Sequence, residues 1–158
     1  MIVVADSGPP HYLLLIEQIE LLRRFYGQVT IPDAVADELR VSGSPAVVRN
    51  WIARPPDWVA VTHVPREQIE SITEDLDFGE RAAIALAGTI RADLLLIDDA
   101  AGRIEAARRN LRVTGTLGVL RAAAEQGIVD VPHTLSKLKA TSFYVDDDLL
   151  SKIFDRWL

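Results

Sequence analysis

Acidic residues directly follow two short apolar segments of this chain. Ile2 to Ala5 is followed by Asp6, and Leu94 to Ile97 is followed by Asp98 and Asp99. If both segments are strands of one parallel sheet, their carboxylates meet at the carboxyl edge, where sites form in open α/β sheets. Carboxylates in close proximity repel one another, and a divalent cation with oxygen ligands, such as Mg²⁺ or Mn²⁺, makes such a cluster tolerable. The pattern therefore indicates a metal-dependent site.

Each strand-end acid also has a structural interpretation. Asp6 precedes the turn Ser7-Gly8-Pro9-Pro10 and could cap the helix that follows. Asp99 is well suited to the N-cap of a helix that begins at Ala100. Only one residue of the pair can occupy that N-cap, so Asp98 is the harder of the two to explain by structure alone.

Two further acids are candidates because of their positions on predicted helices. Glu80 lies three residues after Asp77, which is the spacing of a capping box, and it also stands above the apolar face that contains Ile84. Glu38 borders the apolar face of the helix that contains Val35. From the residues alone, a solvated surface position is the better explanation of Glu38.

Two residues near these acids could contact a substrate. Arg103 lies about one helical turn after Asp98 and Asp99, so it could reach a phosphate or form a surface salt bridge. Ser7 could bind water or a phosphate. A cluster of arginines further along the same segment predicts a positive rim beside the acids: Arg108, Arg109 and Arg112.

Composition excludes several classes of protein. The 158 residues include 17 Lys plus Arg, 23 Asp plus Glu and no cysteine, for a net charge of −6. Thiolate zinc sites, disulfides and cysteine nucleophiles are therefore impossible, and coating of nucleic acid by bulk attraction is disfavoured. The chain begins without the basic leader of a signal peptide and has no apolar run of about 20 residues, so we expect a cytoplasmic protein without membrane spans.

Short apolar segments alternate with helical patterns along the chain, which predicts an α/β fold with a parallel sheet covered on both faces. We expect one helix from His11 to Tyr26 and a strand or connector from Trp58 to Val64. The predicted strands are Ile2–Ala5, Gln28–Ile31, Leu94–Ile97 and Leu111–Val113. The other predicted helices are 33–40, 46–53, 81–90, 100–110 and 116–126, with two more in the tail from Pro132 to Leu158.

Five segments together resemble the PIN domain family, most closely its VapC-like, predicted nucleic-acid-binding branch of bacteria and archaea. They are Val4–Pro9, Ile31–Leu39, Leu76–Ala87, Leu95–Arg103 and Val113–Leu120. The likeness runs from Met1 to about Val131. The chain departs from the pattern of the family at two places. Pro10 stands where a hydrophobic residue is more usual, and Ile97-Asp98-Asp99 stands where Thr-x-Asp is more familiar.

The resemblance implies a PIN-like three-layer α/β/α sandwich with a short central parallel sheet. It implies a single domain over residues 1–158, with a core of about 1–131 and a helical tail of about 132–158. It further implies a metal-dependent ribonuclease, often the toxin of a toxin–antitoxin pair, that uses Mg²⁺ or Mn²⁺. The matching acids are Asp6, Glu38, Glu80 and Asp98, with Asp99 as the alternative to Asp98. The expected metal ligands among these acids are Asp6, Glu80, Asp98 and Asp99. The residues near them that we expect to bind substrate are Ser7 and Arg103.

Two other functions fit the sequence less well. One is a non-catalytic PIN-like module that binds nucleic acid or protein, and the other is a receiver-like phosphotransfer domain. The receiver fold expects a lysine at a later strand end, but the only lysines are Lys137, Lys139 and Lys152.

We also expect a homodimer and an antitoxin partner. Residues 12–15 and the apolar residues of 153–158 are too crowded for one helix face, which indicates surplus apolar surface for an interface.

Overall fold

A parallel sheet of five short strands lies at the centre of the computed structural model, which describes residues 1–158. The strands are β1 (Val3–Ala5), β2 (Val29–Pro32), β3 (Val59–Thr62), β4 (Leu94–Leu96) and β5 (Val113–Thr114). The helices are α1 (Gly8–Leu15), α2 (Glu20–Tyr26), α3 (Asp33–Arg40), α4 (Ala46–Ala53), α5 (Arg66–Glu70), α6 (Phe78–Thr89), α7 (Ala100–Arg108), α8 (Thr116–Glu125), α9 (Val131–Lys139) and α10 (Asp147–Phe154). A 3₁₀ turn, Asp155–Trp157, ends the chain. The predicted α/β sandwich is confirmed.

The strand order is β3-β2-β1-β4-β5, with every neighbouring pair parallel. The chain runs outward on one side from β1 to β3 and on the other side from β4 to β5. The order therefore reverses between β1 and β4, and this switch point is where sites form in such sheets. The receiver-like alternative is wrong, because that fold places its strands in the order 2-1-3-4-5.

Both faces of the sheet are buried, which explains why its strands are almost wholly apolar. Val3 and Ala5 point into a cluster of 25 buried residues, which also receives side chains from α1 to α4 and from α8 to α10. Val4, Leu95 and Ile97 point into a second cluster of 14 residues, formed with α6 and its neighbours. Successive side chains of each strand point to opposite faces of the sheet, so the apolar residues of one strand pack against both helical layers.

The predicted single helix from His11 to Tyr26 is wrong. The chain forms α1 and α2 separately, because Glu17 adopts a left-handed conformation with φ of 61°. The turn is closed by the Gln18 N–H, which donates to the Leu13 carbonyl at 2.7 Å. Apolar residues on both sides of Glu17 enter the same core, among them Leu13 and Leu22.

The two segments predicted to have surplus apolar surface are mostly packed inside the protein. Leu13, Leu14 and Phe154 are buried in the larger cluster, and Tyr12 and Trp157 pack against its border. Leu158 remains 62% exposed. Most of these residues therefore offer no free apolar surface for a dimer interface, contrary to the prediction. The homodimer itself stays a prediction. No helix is both long and apolar enough to cross a membrane.

Candidate active site

The first two acids of the predicted site lie side by side at the switch point of the sheet. β1 pairs with β4 through Ala5 and Leu96, and the Asp6 N–H donates to the Leu96 carbonyl at 2.9 Å. Asp98 follows two residues after Leu96. Since the strands are parallel, Asp6 and Asp98 leave the sheet at the same edge, as the sequence predicts.

Asp6 is a buried carboxylate that the fold leaves partly unpaired. Its side chain is 5% exposed, and Oδ1 has no hydrogen-bond partner. Burial, together with the nearby carboxylates of Glu38, Asp77 and Asp98, raises the pKa of Asp6 to about 7, although hydrogen bonding from the Ser7 backbone opposes the increase. Asp6 does not cap α1, because that helix begins at Gly8 with Ser7 as its N-cap residue. The capping role therefore does not explain this acid.

Asp98 is held at the start of α8. The Thr116 N–H donates to Oδ1 at 2.7 Å, and the Thr116 hydroxyl donates to Oδ2 at 2.8 Å. Two glycines make room for the carboxylate, since a Cβ at Gly8 or Gly115 would lie 2.8 or 2.6 Å from its oxygens. Burial raises the pKa of Asp98, while the bonds from Thr116 and the charge of Arg103 lower it. Asp98 is thus fixed in orientation by tertiary contacts.

Glu38 reaches the same region from α3, because α3 packs against α6 near Gly79. A Cβ at Gly79 would lie 2.0 Å from Oε1 of Glu38, so only glycine leaves space for this carboxylate. Burial raises the pKa of Glu38, and the charge of Asp77 raises it further. Hydrogen bonding from the Ser7 hydroxyl and the Gly79 N–H acts in the opposite direction. The Ser7 hydroxyl thus lies near Glu38, and its contact with substrate stays a prediction.

Glu80 combines a structural role with a free oxygen. Asp77 caps α6 by accepting from the Glu80 N–H at 2.8 Å, and Oε1 of Glu80 accepts from the Asp77 N–H at 3.4 Å. This is the capping box that the sequence allows. Oε2 of Glu80 is buried without a partner and would lie 3.0 Å from a Cβ at Gly102. Burial, together with the neighbouring Asp77 and Asp99, raises the pKa of Glu80 to about 9.

Asp99 separates clearly from Asp98. It is the N-cap of α7, where Oδ2 accepts from the Gly102 N–H at 3.0 Å, and its side chain is exposed. The structural interpretation of Asp99 is therefore realised, although its carboxylate still lies near Glu80. Asp98, by contrast, caps no helix of its own chain segment and faces the site.

The predicted positive rim of Arg108, Arg109 and Arg112 is not in place, and only Arg103 lies beside the acids. Arg103 is exposed and close enough to Asp98 for its charge to lower that pKa. Arg108 and Arg109 lie at the far end of α7 and pair with Glu105 at 3.6 and 3.0 Å. Arg112 precedes β5 and so lies at the amino edge of the sheet. The rim prediction is wrong for these three arginines, because a helix of nine residues carries them away from its start.

Two residues of the site were not singled out from the sequence. Asp77 was assigned only to a cap, yet its charge contributes to the raised pKa of Asp6, Glu38 and Glu80. Thr116 was assigned only to a helix start, yet it supplies both hydrogen bonds to Asp98. The available signal for Thr116 was a hydroxyl residue at the first turn of a helix that follows a strand.

The donor chemistry of the site fits a hard divalent cation. All candidate ligands are carboxylates, which Mg²⁺ and Mn²⁺ prefer, and the free oxygens of Asp6 and Glu80 are buried polar atoms of a kind that normally has a partner. No three His, Cys, Asp or Glu side chains are grouped closely enough to form a ready-made metal site. Binding a cation through three of these acids therefore requires side-chain movement.

The chain was also compared with known proteins. A family model described as a PIN domain matches residues 2–157, which is almost the whole chain. No curated protein matches it. PIN domains are generally nucleases, and those nucleases generally use divalent metals. The match agrees with the parallel sheet and with the acids at its carboxyl edge, and the chain belongs to the PIN domain family.

Proposed function

We propose that this protein is a metal-dependent endoribonuclease that hydrolyses RNA phosphodiester bonds. The observation that carries the proposal is the pair of buried, unpartnered oxygens, Asp6 Oδ1 and Glu80 Oε2, within a cluster of carboxylates. Leaving such atoms unpaired costs about 1–3 kcal/mol each, so a fold that retains them indicates a ligand that is positively charged.

In this proposal Asp6, Glu80, Asp98 and Asp99 hold Mg²⁺ or Mn²⁺, directly or through water. The cation supplies charge stabilisation to the phosphate and activation of a water molecule. Thr116 keeps both oxygens of Asp98 in a fixed orientation. The free oxygens of Asp6 and Glu80 provide the remaining negative charge.

Glu38 is the residue that we propose orients the attacking water and accepts its proton. Its raised pKa makes it a stronger base than an ordinary glutamate. Arg103 is placed to contact a substrate phosphate, because it is exposed and stands one turn after the acids.

A nuclease assay on a panel of RNAs tests the proposal, with Mg²⁺, Mn²⁺ or EDTA. We expect cleavage with either metal, none with EDTA, and none with the Asp6→Asn variant. Asp57→Asn is the matched control, since Asp57 is exposed and lies outside the site. Cleavage that persists in EDTA, or in Asp6→Asn, would refute the metal-dependent mechanism.

A second candidate is a non-catalytic module that binds nucleic acid or protein. It is favoured by the lack of a ready-made metal group and by the capping roles of Glu80 and Asp99. The same assay separates the two, because the module would bind RNA without cleaving it under any metal condition.

We further propose, from the family resemblance, that residues 1–158 act as one domain, that the protein forms a homodimer, and that it is the toxin of a toxin–antitoxin pair. A dimer could place two copies of Arg103 along one groove and so supply positive charge to an acidic protein. Light scattering across a range of salt concentrations tests this assembly, and a monomeric mass throughout would contradict it.

A further inference from the structure

A groove of about 410 Å³ opens beside the acidic site. We call it the tail groove, because the segment between α9 and α10 forms one wall of it. Asp98 and Gly115 lie at the end nearest the site, and Phe143, Val145 and Ile153 line the opposite wall. Its size lies in the range of pockets that hold small molecules, about 300–1,000 Å³. The tail groove is therefore continuous with the site and large enough for a nucleotide.

The fold leaves one aromatic side chain at the wall of this groove almost fully exposed. Tyr144 is 94% exposed, which is the largest exposure among the large hydrophobic side chains. Its neighbours are firmly held: Phe143 packs edge-on against Tyr12 with ring centroids 5.0 Å apart, and the Tyr12 hydroxyl is 3.0 Å from the Ser142 hydroxyl. The fold thus presents the Tyr144 ring on an anchored segment without covering it.

The charges at the groove complement an anion. Arg103 and Arg121 both line it and both are exposed. Arg121 pairs with Glu125 on its own helix at 3.3 Å, whereas Arg103 takes part in no ion pair within 4.0 Å. The one carboxylate in the lining, Asp98, accepts two hydrogen bonds from Thr116. Two guanidinium groups therefore stand in the groove of a protein whose net charge is −6.

We propose that the tail groove binds a nucleotide of single-stranded RNA next to the phosphate that is cleaved. The base stacks on Tyr144 against the apolar wall, and the backbone phosphate lies between Arg103 and Arg121. Aromatic stacking combined with a positive groove is how proteins bind single strands. The proposal rests on the proposed nuclease function, and it adds where the substrate lies and which residues of the tail select it.

The groove favours a single strand over a duplex and over a peptide. A duplex keeps its bases stacked inside and offers no free face to Tyr144. A peptide would find an apolar wall here too, but it would have to supply a carboxylate for each arginine, whereas every nucleotide carries both a ring and a phosphate.

Fluorescence anisotropy with short labelled oligouridylate in EDTA measures this binding in the absence of cleavage. We expect Tyr144→Ala to weaken binding by about 5- to 100-fold, with Tyr144→Trp retaining it. We expect Arg121→Ala to reduce the slope of log affinity against log salt by about 0.7, whereas Tyr144→Ala leaves the slope unchanged. Arg112→Ala is the charge-matched control, because it removes the same charge at the opposite edge of the sheet.

The outcomes separate this inference from the proposed function. Binding that depends on Tyr144 and Arg121 without any cleavage would support the groove and refute the nuclease. Cleavage by wild-type protein with binding unaffected by Tyr144→Ala would support the nuclease and overturn the groove. The groove proposal would also be overturned if Arg121→Ala and Arg112→Ala changed the affinity and its salt dependence equally. Absence of binding to single strands, or tighter binding of duplex RNA, would overturn it as well.

Discussion

Two groups of acids meet in this site, and they differ in what the fold gains from them. The strand-end acids, Asp6 and Asp98, are not the N-cap residues of the helices that directly follow them, α1 and α7. The helix-start acids, Asp77, Glu80 and Asp99, each take part in capping α6 or α7. Proximity to the site therefore does not by itself identify function, because capping explains Asp77 and Asp99 but explains neither Asp6 nor the free oxygen of Glu80.

The two groups of acids are expected to have opposite effects on the stability of the folded protein. A capping acid stabilises its helix by about 1 kcal/mol, whereas a buried carboxylate with an unpaired oxygen destabilises the folded protein. A protein without metal should therefore tolerate or benefit from loss of Asp6 and should lose stability without Asp99. Four predictions test this contrast, beginning with the largest effect.

Asp6→Asn and Asp98→Asn are each expected to reduce RNA cleavage by at least about 100-fold, because loss of even an outer-shell partner of a metal costs about 10- to 100-fold. The amide substitution keeps the shape and removes the negative charge. Cleavage rates with Mg²⁺ measure the effect, and circular dichroism checks that the fold is retained. Activity near that of wild type in both variants would show that the strand-end acids matter no more for cleavage than the helix-start acids do.

The stability of the metal-free protein should fall as pH rises. The pKa of Asp6 is raised from 3.8 to about 7 and that of Glu80 from 4.5 to about 9, so the folded protein holds protons that the unfolded chain releases between these values. The free energy of unfolding therefore decreases from about pH 4 up to each raised pKa.

Asp6→Asn removes its share of this dependence. Thermal unfolding in EDTA at about pH 5 and pH 8 is the measurement. The variant should match wild type at the lower pH and melt a few degrees higher at the upper pH, since 1 kcal/mol corresponds to about 2–4 °C in a chain of this size. A lower melting temperature for Asp6→Asn at both pH values would instead assign Asp6 a structural role.

Thr116→Val should lower cleavage by about 10-fold, because it removes the hydroxyl that bonds Asp98 Oδ2 at 2.8 Å and keeps the backbone bond to Oδ1. Thr116→Ser retains the hydroxyl and should restore most of the activity. If the methyl group of Thr116 mattered and its hydroxyl did not, Thr116→Ser, which lacks the methyl group, would lose activity and Thr116→Val, which keeps it, would not.

The smallest effect concerns the caps. Asp99→Ala and Asp130→Ala should each lower the free energy of unfolding by about 1 kcal/mol, since each removes an N-cap bond of about 3.0 Å. Asp130 caps α9 outside the acidic site, so its variant should leave cleavage unchanged. Equal activity of the two variants would show that Asp99 serves only as a cap, and reduced activity of Asp99→Ala alone would support its role as a metal ligand.

Much of this structure could be predicted from the short apolar segments and from the acids that directly follow them. Short runs such as Leu94 to Ile97 are long enough for buried strands and too short for helices, and acids placed after them must emerge at one edge of a parallel sheet. The caps Asp77 and Asp99 are likewise local features, because a cap and its partner lie three residues apart. These parts were predictable because both partners are neighbours in sequence.

Other features needed contacts between distant parts of the chain. The break at Glu17 has no glycine or proline to mark it, and the two helices that it separates pack into one core with helices from the end of the chain. The short helix α5 was not predicted, because it spans only five residues.

The α/β class, the edge of the sheet at which Asp6 and Asp98 emerge, and the capping motifs follow from the amino-acid sequence. The contact of Glu38 with Gly79, the bonds from Thr116 to Asp98 across 18 residues, and the exposure of Tyr144 beside the site depend on how the chain packs. The two sets differ in the range of the forces involved. Strands, helix starts and caps are set by neighbouring residues, whereas a carboxylate's burial and partners depend on which helices pack together.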